Sequence, residues 1–192
     1  AAYLSAYAAY MTGAGLVQLY TPEENRAVMQ QLLPEAILTT YDRFQKEELL
    51  SLLEWADVVG IGPGIGKSED AEAILLAVLR NVKCPCIVDA DGLNLLAGHK
   101  EEMDRFSGRK FIFTPHMKEM SRLTGRSIGE LKRDRIEILT EFTEKYPVTC
   151  VMKDARTCIK TKNQRLLVNL SGNAAMAKAG SGDVLTGIIA GL

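Results

Sequence analysis

Short apolar runs alternate with helical stretches along most of this chain, and that alternation constrains the fold more than any other feature. Leu16–Tyr20, Ile37–Thr39, Asp57–Ile61, Cys86–Asp89, Phe111–Thr114 and Val148–Met152 read as strands. Helical patterns cover Ala1–Thr12, Pro22 to about Leu33, Phe44–Trp55, Lys67–Asn81, Gly92–Gly98, His116–Leu123 and Ile128–Lys145. Gly13-Ala14-Gly15 stops the first helix, and Pro22 suits the first turn of the second. Thr157–Lys160 and Arg165–Asn169 read as a hairpin across Thr161–Gln164, and Val184–Leu192 as a buried apolar helix. Strands alternating with helices imply a largely parallel sheet covered on both faces. The fold class is therefore α/β, with three α/β/α layers.

In such sheets, ligands bind at the carboxyl ends of strands. Gly62–Gly66 follows Asp57–Ile61, and Asp89 and Asp91 end the next strand. His116 and Glu119 follow Phe111–Thr114, and Lys153 follows Val148–Met152. Four separate segments thus deliver polar residues or glycine to one edge, which predicts a single cleft.

Gly180-Ser181-Gly182-Asp183 opens the final apolar helix. The first N–H groups of a helix lack intrahelical partners, and the macrodipole adds partial positive charge there. Glycines permit close approach, so the turn favours an anion such as phosphate. Asp183 within that turn fits either of two roles: a base for a proton lost beside the phosphate, or a helix cap.

Other motifs are less specific. Gly60-Ile61-Gly62-Pro63-Gly64-Ile65-Gly66-Lys67-Ser68 is a near miss for two phosphate loops. A Walker A loop would need Gly at Ile61, and a dinucleotide fingerprint would need Gly at Ile65 or Lys67. A tight turn for helix–strand packing fits it as well. His116 and Glu119 stand one helical turn apart, a spacing that suits a metal, a substrate or a cap, although two ligands alone do not make a metal site. Asp89 and Asp91 form a second acidic pair, and Asp91-Gly92 also fits a helix cap.

The chain has 192 residues, 47% hydrophobic and 24% charged, with a net charge of −1. These values fit one globular domain spanning 1–192 and offer no electrostatic case for nucleic acid or an anionic membrane. The four cysteines, Cys84, Cys86, Cys150 and Cys158, lack the paired C-x2-C units of a zinc site. They read as reduced core thiols, which fits the cytoplasm. No stretch is long and apolar enough for a membrane helix. The chain starts and stops within helical patterns, which predicts a longer natural protein with a targeting segment or further domain beyond its ends.

Gly180-Ser181-Gly182-Asp183-Val184-Leu185-Thr186-Gly187 resembles the signature of the ribokinase-like superfamily. Its ADP/ATP-dependent NAD(P)H-hydrate dehydratase branch is the nearer likeness. Gly62-Pro63-Gly64-Ile65-Gly66, Val88–Leu96, Thr114–Met120, Met152-Lys153 and the opening Ala1–Val17 resemble that branch in its order. The resemblance implies a ribokinase-like sheet and dehydration of NAD(P)HX coupled to cleavage of ADP or ATP. Asp183 would be the catalytic base. Gly180, Ser181 and Gly182, with Lys153, Asp154, Ala155, Arg156 and Thr157, would hold the nucleotide. Ala1, Gly62, Gly64, His116 and Asp183 would face the substrate, and Glu119 would help to hold Mg2+, through water. A homo-oligomer is also implied. The family usually has Gly where Asp154 stands, which opposes close backbone approach there. A kinase for a small hydroxylated metabolite needs the same turn and the same acid. A regulatory nucleotide-binding domain without turnover is a further alternative.

Overall fold

A computed structural model describes residues 1–192. Its helices are α1 (Ala2–Thr12), α2 (Arg26–Leu32), α3 (Lys46–Trp55), α4 (Glu69–Asn81), α5 (Ala90–Leu96), α6 (Met117–Thr124), α7 (Ile128–Arg133), α8 (Arg135–Lys145) and α9 (Ser181–Gly191). The strands are β1 (Gln18–Pro22), β2 (Ile37–Tyr41), β3 (Val59–Ile61), β4 (Cys86–Val88), β5 (Phe111–Phe113), β6 (Val148–Met152), β7 (Cys158–Thr161) and β8 (Leu167–Val168).

The main sheet has the order β3-β4-β5-β6-β7-β8. Its first four strands are parallel, and β7 and β8 add as an antiparallel hairpin. Right-handed crossovers in an order that never reverses put α4 through α8 on one face. Alternate residues of the strands point there: Cys86, Val88, Phe111, Phe113, Val148, Cys150 and Met152 belong to the main core. Phe106 stacks on Phe111 at 3.8 Å between ring centres and meets Phe113 edge-on at 6.1 Å. Burial pushes the thiols of Cys86 and Cys150 up, so both behave as small core groups. All four cysteines are free thiols.

The opposite face is covered by α9, which lies against β3 and β4, with α1 packed along it. Glycines set the closeness of that helix pair. A Cβ at Gly187 would stand 2.0 Å from the Ser5 carbonyl oxygen, and one at Gly191 would stand 2.7 Å from that of Ala9. No helix is long and apolar enough to cross a membrane.

Four expectations need correction. Pro22 ends β1 and also caps a short 3-10 helix, Glu23–Asn25, so the α-helix itself starts at Arg26 rather than at Pro22. β1 and β2 pair in parallel as a separate two-stranded sheet, from Gln18 opposite Ile37 to Pro22 opposite Tyr41. The stretch Ile128–Lys145 is two helices, because Asp134 leaves helical geometry at φ −116° and ψ 28°. The last helix is half-covered, with only Thr186 and Gly187 buried and Ile188 38% exposed. Beside its carboxyl end lies an open trough of about 620 Å³, lined by Ile87, Ile112, Thr149, Ile189 and Leu192 among others.

Candidate active site

The start of α9 is built on Gly180, whose φ of +88° lies in the left-handed region. The backbone conformation therefore favours glycine, and a Cβ there would also make Leu4 Cδ1, 2.6 Å away, move aside. The Ser181 N–H turns back to the Lys178 carbonyl at 3.3 Å, and the Val184 N–H bonds that of Gly180 at 3.0 Å. Between them, the N–H groups of Gly182 and Asp183 have no backbone acceptor. The open donors are therefore fewer than the sequence suggested, and they sit at the helix's positive end.

Behind this turn stands a cation. Lys153 leaves β6 held by a bridge to His116, and its N–H donates to the Pro115 carbonyl at 2.8 Å. Its Nζ donates to Asp89 Oδ1 at 2.8 Å. A Cβ at Gly182 would lie 3.3 Å from that Nζ and 3.4 Å from Asp89 Oδ2. The ammonium, the buried Asp89 carboxylate and the first turn of α9 thus form one cluster, although their residues lie far apart in sequence. Thr186 Oγ1 completes it by donating to Asp89 Oδ2 at 3.1 Å.

Asp183 lies on the side of the turn facing α1. Its carbonyl accepts from Ser5 Oγ at 2.8 Å, and its Oδ2 is 3.9 Å from the Ala1 nitrogen. Gly64 joins this group, since a Cβ there would stand 2.8 Å from that of Ala1. Ala1, Gly64 and Asp183 therefore come together. Gly62 instead packs under α5: its Cβ would stand 1.9 Å from the Asp89 carbonyl oxygen and 2.8 Å from the Gly92 nitrogen.

His116 is the N-cap of α6. Its Nδ1 accepts from the N–H groups of Lys118 and Glu119, each at 3.1 Å. Glu119 answers by accepting the His116 N–H on Oε2 at 2.8 Å, which closes a capping box. His116 Nε2 lies 3.1 Å from Glu119 Oε1. Burial, and next the charge of Lys153, hold the imidazole below its ordinary range. Burial pushes the Glu119 carboxyl up, against the pull of the His116 N–H and Lys153. The ring is half-exposed, with both nitrogens engaged at its own helix end, whereas Glu119 is almost wholly enclosed.

The segment after Lys153 is an exposed loop through Asp154, Ala155 and Arg156, with Thr157 half-buried. Asp154 pairs with Arg135 at 3.0 Å. Gly172 approaches Ala155, its Cβ position 3.8 Å from the Ala155 carbonyl oxygen. Asp91 makes no cap: the N-cap position of α5 is Asp89, and Asp91 accepts from Asn94 Nδ2 at 3.2 Å. The sequence reading missed Thr186, although a single hydroxyl within the apolar run Val184–Leu192 was its visible signal.

A mostly parallel sheet, helices on both faces and a glycine turn beside a lysine define a ribokinase-like α/β protein. The chain belongs to the NAD(P)H-hydrate dehydratase family, whose model matches residues 1–192. It is 40% identical over 189 residues to the bifunctional NAD(P)H-hydrate repair enzyme of Coxiella burnetii, and 36% identical over 197 residues to that of Moorella thermoacetica. Each alignment covers 98% of this chain but 37% of the relative, so the chain spans little more than a third of those proteins. Among solved structures, a ribokinase-like protein of Enterococcus faecalis superposes with a TM-score of 0.86 at 30% identity, covering 98% of this chain and 64% of that one. The ADP/ATP-dependent NAD(P)H-hydrate dehydratase of Bacillus subtilis, co-crystallized with ATP/Mg2+, superposes with a TM-score of 0.80 at 29% identity, covering 99% and 66%.

Proposed function

We propose that this protein returns NAD(P)HX to NAD(P)H by dehydration coupled to cleavage of ADP or ATP. One observation carries the reading most directly: the open first turn of α9 meets the Lys153 ammonium at the carboxyl edge of the sheet, with Asp183 beside it. The family and the Bacillus subtilis relative supply the substrate and nucleotide classes.

The residues divide the work. The N–H groups of Gly182 and Asp183 and the Lys153 ammonium stabilise charge on the terminal phosphoryl oxygens. Asp183 takes the proton of the substrate's ring hydroxyl. That oxygen attacks the terminal phosphorus, and the bond to the rest of the nucleotide breaks, releasing AMP from ADP or ADP from ATP. The ring C–O bond then breaks, because phosphate leaves where hydroxide would not. Loss of a proton from the neighbouring carbon restores the ring double bond. In this reading Ala1, Gly64 and the outer edge of His116 border the substrate, Gly62 supports the floor, and the loop from Asp154 to Thr157 borders the nucleotide beside Gly180 and Ser181.

The acidic groups fit magnesium only as an ion carried on the nucleotide. Asp89 has both oxygens engaged, and Glu119 is enclosed by its own capping box. Mg2+ is commonly held by phosphates, waters and one or two carboxylates, a pattern that leaves Glu119 a contact through water. When bound, it would neutralise charge on the phosphate oxygens.

The cytoplasm, a homo-oligomer, a single 1–192 unit and the absence of nucleic-acid or membrane partners complete the proposal. The test is incubation with NADHX and each nucleotide while NADH absorbance is followed. Nucleotide-dependent recovery supports dehydration. A phosphorylated substrate that accumulates without recovery assigns a kinase instead, and nucleotide binding without turnover assigns a regulatory domain.

A further inference from the structure

Asp89 spends its carboxylate in an unusual way. It occupies the N-cap position of α5, where an Asp ordinarily accepts from the N–H groups of the first turn. It makes no such bond. Instead Oδ1 holds Lys153, 64 residues on, and Oδ2 holds Thr186, 97 residues on. The side chain is 1% exposed, so this carboxylate is desolvated and needs both partners. The backbone around it is held as firmly. Gly62 packs against the Asp89 carbonyl, and Ala90 adopts a φ of +50°, which a residue with a side chain rarely does. Strain of this kind persists only where the surroundings enforce it, and it gathers at functional sites.

We propose that Asp89 is a positioning residue for the nucleotide: it fixes the Lys153 ammonium and, through Thr186, the first turns of α9 in one arrangement. The inference rests on the nucleotide reading given above. A carboxylate this close to a phosphate site would by itself repel the ligand. Paired with Lys153 its charge is cancelled, and the lysine is left with two N–H bonds to offer from a fixed place.

That balance gives the test a sign. Affinity for ADP and ATP, each with Mg2+, is measured by calorimetry for the wild-type protein, Asp89→Asn, Lys153→Ala and the double variant. With Lys153 present, Asp89→Asn is expected to weaken binding about tenfold, the scale of one lost charged hydrogen bond. Without Lys153, the same change is expected to leave affinity unchanged or raise it, because it removes an uncompensated negative charge. Equal losses in both backgrounds overturn the positioning role and make Asp89 a general support of the fold. If Asp89→Asn does not fold, Thr186→Val decides through the α9 arm: weaker nucleotide binding by a protein that melts as the wild type does supports the role, and unchanged affinity overturns it. A wild-type protein that binds neither nucleotide overturns the site reading itself, and this inference with it, which is a different result from equal losses.

Discussion

Asp183 and His116 each hold a place in local structure beside the role proposed for it. Asp183 lies in the first turn of α9, where its charge complements the helix dipole, but no side-chain cap bond is made there. Its carboxylate is therefore available as a base. Asp183→Asn keeps the shape of the turn and removes the base, so turnover is expected to fall at least ~10²-fold. Nucleotide affinity by calorimetry should stay near the wild-type value. An active variant would reduce Asp183 to a helix-end charge. His116 must be neutral to cap α6, because its Nδ1 accepts two N–H bonds. Its folded pKa lies below the ordinary 6.5, so the unfolded chain takes up the proton first. The contribution of His116 to stability is present above 6.5 and is lost as pH falls through the lower folded value. His116→Asn supplies a cap that does not titrate. In melting curves recorded against pH, that variant should flatten the acid-side decline. A decline of unchanged steepness would place the acid sensitivity elsewhere.

At the scale of elements, the site depends on how closely α9 sits against α1. A Cβ at Gly187 meets backbone at 2.0 Å, which a flexible side chain cannot relieve. Gly187→Ala is expected to cost about 3 kcal/mol, the upper part of the range for overpacking, and to shift the anion turn with the helix. Gly66 is the control. Its φ is +76° and nothing lies within 4 Å of its Cβ position, so Gly66→Ala carries only backbone strain of about 1 kcal/mol. Denaturant unfolding separates the two, and equal losses would mean that the helix pair yields more easily than its geometry implies. The elements themselves were largely legible in the sequence. Short strands and helices differ in hydrophobic period, so most were found within two residues. What could not be read was partnership. Nothing in Leu16–Tyr20 or Ile37–Thr39 says that these strands pair only with each other. Nothing at Asp134 marks a break, since the apolar pattern runs on from Leu131 to Ile138 and Leu139.

Over the whole molecule, parallel strands deliver distant segments to one edge, and the cleft was legible for that reason. Lys153 and Asp89 follow β6 and β4 and meet each other and Gly182, in the first turn of α9, at the strand ends. The roles within the cleft were less legible, because a residue type does not specify its partner. Gly62, expected at the substrate, also braces Asp89, and Glu119, expected to reach a metal through water, also closes a capping box. An open trough of about 620 Å³ lies at the opposite, amino ends of the strands, against Pro85, Lys110 and Pro147, away from the cluster of Lys153, Asp89 and the α9 turn. The central claim is that the substrate's hydroxyl oxygen attacks phosphorus before it leaves the ring. It is tested most directly with NADHX carrying oxygen-18 in that hydroxyl, incubated with ADP or ATP, with the released phosphate and water analysed by mass. Phosphorylation followed by elimination puts the label in inorganic phosphate, in step with the NADH recovered. Label in water, with unlabelled phosphate, would contradict it.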